Sequence, residues 1–242
     1  MKHVKRFLAL SLAAALLAGC VSCGNSDEKT SPTGGGSGVD STGDGGTLRI
    51  AMTCAALPNT DSEPTEGQEG YRFVSFQLYD ALVKWDASSE TEAGKIIPGL
   101  ATSWEQNPEN PKRWTFHLRE GVTFSNGTPF NADSVLANFD RMKKGPFESS
   151  FYGMNIDTIY PGLVSYEKTD DYTVVLTLSE GQPLLDYTMV NYGSAIFEPS
   201  CFAEDGTFAG FPIGTGPYVL TDFVTDEYAV FERNENYWGE KP

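Results

Sequence analysis

Apolar and polar positions alternate most strictly over residues 113–119, where Trp114, Phe116 and Leu118 interleave with Thr115, His117 and Arg119. A period of two marks a strand with one buried face. Glu120 and Gly121 end that run, residues 122–124 resume an extended stretch, and Asn126-Gly127 offers the positive φ that a tight reversal needs. The period then lengthens. Val135, Phe139 and Met142 fall at i, i+4 and i+7 and make one apolar stripe of a helix. Asn131 suits its N-cap, Asp133 its first turn, Lys143 and Lys144 its negative end, and Gly145-Pro146 its stop.

On either side the pattern is looser. Residues 47–52 read as a strand with Leu48 and Ile50 on one face, followed by a polar, proline-broken loop over 53–70. A loop of that length inside a compact domain is usually mobile or functional. Tyr71, Val74, Leu78 and Leu82 then recur at helical spacing, with Phe73 and Phe76 widening the stripe into the core. Downstream, residues 147–160 are aromatic without a period, and residues 173–178 read as a strand after an Asp170-Asp171 turn. Pro183 opens a short helix with Leu184, Leu185 and Met189, residues 191–193 break it, and residues 194–197 are expected as a buried strand. Gly214-Thr215-Gly216 turns into an antiparallel pair, 218–224 and 228–233.

The chain opens differently. Lys2, Lys5 and Arg6 precede a twelve-residue run, 7–18, that is apolar except for Ser11. This is a secretion signal, too short to span a bilayer. It ends in Leu17-Ala18-Gly19-Cys20, which looks like a bacterial lipobox, so residues 1–19 are expected to be cleaved and Cys20 to carry diacylglycerol. Each buried methylene contributes about 0.8 kcal/mol, so two or three acyl chains anchor firmly where one does not. Residues 21–46 hold Ser, Thr, Asp and a triple glycine with almost nothing apolar, a flexible leash with a reach of about 25–30 Å.

Charge narrows the partners. The chain has 17 basic and 33 acidic residues; without the three cations of the leader, 14 against 33 leaves −19. That balance argues against nucleic acid and repels anionic headgroups, so acyl chains must account for membrane attachment.

Catalytic groups are scarce. Beyond the leader there is one histidine, His117, in mid-strand on the face opposite Trp114, where a cross-strand role is expected; neither a Ser-His-acid set nor a Gly-x-Ser-x-Gly elbow can be assembled. His117 with Cys23, Cys54 and Cys201 matches no zinc-ligand spacing, so no metal or cofactor is expected. Cys20 and Cys23 form a C-x-x-C that acylation of Cys20 removes from redox chemistry. Cys54 and Cys201 remain as a pair that extracytoplasmic conditions would allow to bridge. Gly214-Thr215-Gly216 is followed by Pro217 and a strand rather than a helix, so it is a turn and not a phosphate loop.

Four blocks, YDALVKWD at 79–86, IIPGLATSWE at 96–105, WTFHLREGVTFSNGTPFNADSV at 114–135, and IGTGPYVL with ERNENYWGEKP after 213, resemble in wording and order the family 5 extracellular solute-binding proteins of ABC transporters. That family captures oligopeptides, dipeptides, nickel complexes and some sugars, and does not call for a Cys54–Cys201 bridge. The resemblance implies an α/β fold with mixed α+β sheets, the first lobe of a type II periplasmic-binding-protein-like clamshell. It implies two subdomains: residues 47–78 with 193–242 bear the hinge, and 79–192 form the smaller one. Because family members run well past Tyr237-Trp238, the chain is expected to be an N-terminal portion with the second lobe missing. An open sheet edge and an apolar patch are then expected on the hinge-bearing part.

The function so implied is a monomeric, lipid-anchored substrate-binding protein outside the cytoplasmic membrane, capturing a peptide or similar solute and passing it to permease subunits. Thr53, Cys54, Glu66, Gly67, Asn191, Tyr192 and Gly193, with Phe151 or Tyr152, are the expected cleft residues, placed by where the segments meet the cleft rather than by a motif. Two other readings stay open: a surface sensor or adhesin on the same fold, and a lipid-anchored hydrolase.

Overall fold

The computed structural model describes residues 46–50, 75–86, 88–144, 156–190, 192–209, 211, 213–224 and 227–242. The chain divides after Ile50. Of the first unit only 46–50 are described; they form no strand, and Leu48 and Ile50 are exposed. The strand expected over 47–52 is therefore not formed in its described part. A strand without a paired neighbour has nothing against which to bury one face.

In the second unit the centre is a four-stranded antiparallel sheet in the order β3-β4-β6-β5: β3 (Ala101–Gln106), β4 (Arg113–Leu118), β5 (Leu163–Asp170) and β6 (Thr173–Leu178). The alternation read over 113–119 is realised, with Trp114, Phe116 and Leu118 buried and the residues between them half-buried. Trp114 stands opposite Leu176 and Phe116 opposite Val174, so the apolar faces of β4 and β6 coincide. Helix α2 (Ala132–Lys143) supplies the other layer of this core, through Val135, Phe139 and Met142. Asn131 caps it as expected, accepting from the Ser134 amide at 3.2 Å, a contribution of about 1 kcal/mol. Residues 122–130 form a narrow hairpin held by one bridge, Thr123 to Pro129, with Gly127 at φ 86°.

The opposite face of the sheet is polar. Arg113 pairs with Glu167 at 3.1 Å and His117 meets Glu105 at 3.4 Å. His117 thus has the cross-strand role expected of it. Pairs this exposed contribute about 0–1 kcal/mol each.

The helix expected to run through Leu82 ends sooner. α1 (Phe76–Leu78) gives way at Tyr79 to extended backbone, and β1 (Val83–Asp86) pairs with β2 (Lys95–Pro98). The carbonyls explain the change. Leu78 accepts from Gly216 N, Asp80 from Ile196 N, Ala81 from Leu100 N, and Leu82 from Gly99 N and Ala101 N, so none is left for an amide four residues on. Leu78 and Leu82 are buried as expected, but Phe76 is half exposed.

Two short helices follow, α3 (Ile156–Ile159) and α4 (Leu185–Thr188). Leu185 in α4 and Met189 at its C-cap are fully buried, whereas Leu184, expected in the same stripe, stands at the N-cap and is 61% exposed.

Residues 195–198 are buried but belong to no ladder, against the strand expected there. Their hydrogen bonds go elsewhere. Ile196 N donates to Asp80 O, Glu198 N to Ile213 O, and Phe197 is held by a side chain: Asn138 Nδ2 donates to Phe197 O at 2.8 Å and Asn138 Oδ1 accepts from Phe197 N at 3.0 Å. Asn138 on α2 thus imitates one rung of a sheet. A second, smaller core of Leu78, Tyr79, Ala195 and Phe197 packs with Phe202, Phe208, Leu220 and Phe231.

The antiparallel pair expected near the end is present as β7 (Tyr218–Val224) and β8 (Tyr228–Arg233). Among the described residues no third strand joins it, and Tyr228, Val230 and Phe211 are exposed. The turn before β7 is packed very closely: a Cβ on Gly216 would sit 2.6 Å from Gln77 O and 2.5 Å from the Leu78 carbonyl carbon. Gly216→Ala is expected to destabilise by about 1–3 kcal/mol, since backbone rather than a pliant side chain must move. Urea denaturation of the full chain reads this directly; a midpoint equal to the unsubstituted protein's would contradict it.

Candidate functional site

The four sequence blocks meet around one carboxylate and the indole bonded to it. Asp80, from the first block, is buried, and its Oδ1 lies 2.6 Å from Lys84 Nζ. Oδ2 accepts from Thr215 Oγ1 at 2.9 Å and from Trp238 Nε1 at 2.8 Å, which brings in both parts of the last block. Lys84 Nζ also donates to Tyr237 OH at 3.2 Å and lies 4.8 Å from the centre of the Trp238 ring. From the third block, Arg119 sets its guanidinium 4.3 Å from the same ring and turns Nε toward Gly99 O of the second block at 3.4 Å.

A buried carboxylate is tolerated only when its charge and lone pairs are answered. Here one cation and two neutral donors answer them. Burial pulls the Lys84 pKa down, but Asp80, by charge and hydrogen bond, outweighs it and leaves Lys84 above the ordinary lysine value. Its folded value being raised, the stabilisation is fully present at neutral pH and is lost only as alkali carries the pH through that value. Burial, with Asp80 beside it, also raises the Tyr237 phenol, against the pull of Lys84 and Arg119.

The crossover returning from the first core runs beside this junction. Tyr192–Ser194 form a 3-10 turn, Gly193 and Ser194 are buried, and Ile196 is fastened to the Asp80 carbonyl. Of the cleft residues expected from sequence, the crossover's Tyr192 and Gly193 lie among the described residues. Thr53, Cys54, Glu66, Gly67, Phe151, Tyr152 and Asn191 lie outside them.

Cys201 is buried and unbridged, and its Sγ accepts from Ile213 N at 3.2 Å. Burial pushes its thiol up despite that hydrogen bond, which disfavours the nucleophilic thiolate.

Sequence reading passed over the residues that make the junction. Asp80, Thr215 and Trp238 were visible within the blocks, but nothing in their spacing says that they converge across more than 130 positions. Asn138 did carry a signal, a lone amide three residues after Val135 on the apolar stripe.

Comparison with known proteins places these features. Residues 95–242 match the description "Bacterial extracellular solute-binding proteins, family 5 Middle". The chain is 35% identical over 173 residues to the nickel-binding periplasmic protein of Escherichia coli K12, covering 70% of this chain and 31% of that one. It is 34% identical over 229 residues to the dipeptide-binding protein of the same organism, covering 80% and 41%. A crystal structure of NikA from Brucella suis in complex with Fe(III)-EDTA superposes with a TM-score of 0.60 at 34% identity, over 70% of this chain and 32% of that one. The chain thus spans about a third to two fifths of the length of these relatives.

Proposed function

Because the chain belongs to the bacterial extracellular solute-binding proteins of family 5, we propose that it is the capture component of an ABC importer, taking up a peptide or similar small solute outside the cytoplasmic membrane. The observation that carries this reading is the match over 95–242, together with relatives named for binding a dipeptide and nickel. Lipid on Cys20 holds the protein to the membrane, and the leash over 21–46 lets the folded part reach permease subunits. It acts as a monomer.

In this reading residues 79–192 are the smaller subdomain, and 47–78 with 193–242 are the hinge-bearing one. Thr53, Cys54, Glu66, Gly67, Asn191, Tyr192 and Gly193 line the cleft, with Phe151 or Tyr152 facing them. The ligand's main chain is held as an added extended strand, and ligand contacts made by two lobes at once shift the population toward the closed form.

The test uses the protein purified from its host. Calorimetry against di-, tri- and tetrapeptides and a nickel–histidine complex is expected to show saturable binding at about micromolar Kd or tighter for one class. Cleavage of the peptides without saturable binding would replace this reading with a hydrolase. Cys20→Ser is expected to abolish labelling by radioactive palmitate and to release the protein from membranes; undiminished labelling would remove the anchor from the proposal.

A further inference from the structure

Asp80 is used twice. Its side chain receives Lys84, Thr215 and Trp238, while its own carbonyl receives the Ile196 amide at 2.9 Å. A second route closes the loop: Glu198 N donates to Ile213 O, and Ile213 lies two residues before Thr215. At the far end Asn234 Nδ2 donates to Gly216 O, and Tyr237 N donates to Asn234 O. The crossover over 194–198, the turn over 213–216 and the segment over 234–238 are therefore all pinned to the peptide unit of Asp80 or to each other.

We infer that Asp80 joins the crossover and the Asn234-to-Trp238 segment into one cooperative unit, so that a displacement at either end is felt at the other. The reason is electrostatic. A buried carboxylate cannot stay in place once its partners leave, because an unpaired buried charge costs several kcal/mol. If Trp238 and Thr215 withdraw their donors, Oδ2 loses both its partners and only Lys84 still answers the carboxylate, so Asp80 is drawn toward water, and the backbone shift that goes with that movement loosens its carbonyl from Ile196. The same chain of events runs backward from the crossover. The coupling itself needs no ligand. Its use, in carrying the occupation of a cleft beside Gly193 to Trp238, rests on the capture reading above.

Hydrogen–deuterium exchange followed by mass spectrometry on the full-length, ligand-free protein tests the coupling apart from that reading. Cooperative units exchange together. In the unsubstituted protein, the bonded amides of Ile196, Phe197 and Glu198 and those of Asn234 and Tyr237 are expected to exchange at matching rates. Trp238→Phe removes one donor and keeps an aromatic ring; it should accelerate exchange at the Ile196 amide about tenfold, although no hydrogen bond joins the two residues. Asp80→Asn, which keeps acceptance but loses the charge, should fall between Trp238→Phe and Asp80→Ala. Exchange in β4 and β6 should not change in Trp238→Phe. The inference fails if Trp238→Phe speeds 234–238 while leaving 194–198 unchanged, or if β4 and β6 accelerate equally, since that would be general loosening. Should Asp80→Ala fail to fold, Trp238→Phe still decides the matter.

Discussion

Asn138→Leu is expected to lower the stability of the full chain by about 2–5 kcal/mol, although leucine is the better helix former and matches asparagine in bulk. The loss comes from another segment. Both main-chain groups of Phe197 are buried and bonded to the Asn138 amide, whose Nδ2 also donates to Ser134 O at 2.8 Å. Leucine leaves Phe197 N and O with neither water nor protein to answer them, and each orphaned group costs about 1–3 kcal/mol. For a domain of this size that corresponds to a fall in Tm of roughly 5–15 °C. Asn138→Ala adds a cavity and should be worse. Calorimetry that put Asn138→Leu within 1 °C of the unsubstituted protein would mean that the crossover finds other partners and that the amide is no rung.

Asp80→Ala is expected to destabilise by about 3–5 kcal/mol, toward the lower figure because the Lys84 side chain is 32% exposed and water can take over part of its charge. Trp238 Nε1 and Thr215 Oγ1 lose their acceptor together. The double substitution Asp80→Ala with Lys84→Met removes both charges and should be less damaging than the sum of the two single changes, by about 1–3 kcal/mol of coupling. Urea midpoints for the four proteins of this cycle measure that difference. Strict additivity would show that the pair, for all its short contact, contributes no interaction of its own.

What could be read from sequence, and what could not, follows the chemistry of each element. The central strands β4 and β6 have neighbours on both sides and an apolar core beneath, so their alternation is clean. The border strands β3 and β5 escaped notice because much of each strand stands in water; in β5, Ser165, Glu167, Lys168, Thr169 and Asp170 are exposed on both faces. Helix α2 was legible through its stripe and its cap, both local features. The crossover looked like a strand because burial and apolar character are all a sequence displays there, whereas a ladder depends on who lies alongside. The partner proved to be a side chain on α2. Asp80 was opaque for the same reason: its acid is unremarkable in Tyr79-Asp80-Ala81-Leu82 until Thr215 and Trp238 come back to it.

The two-stranded ribbon of β7 and β8 has a bearing on how this chain behaves in solution. Its outer rows of amides and carbonyls, which no strand among the described residues pairs, with Tyr228 and Val230 exposed beside them, are templates onto which another copy can hydrogen-bond. What holds copies apart is a net charge of −16, or −19 once the leader is gone, and the sequence pI of about 4.4 marks where that repulsion fades. Colloidal stability is therefore set by ionic conditions more than by fold strength. At physiological salt the screening length shrinks to about 8 Å, so dilute alkaline buffer keeps copies dispersed, while mild acid brings them close enough to stack edge to edge.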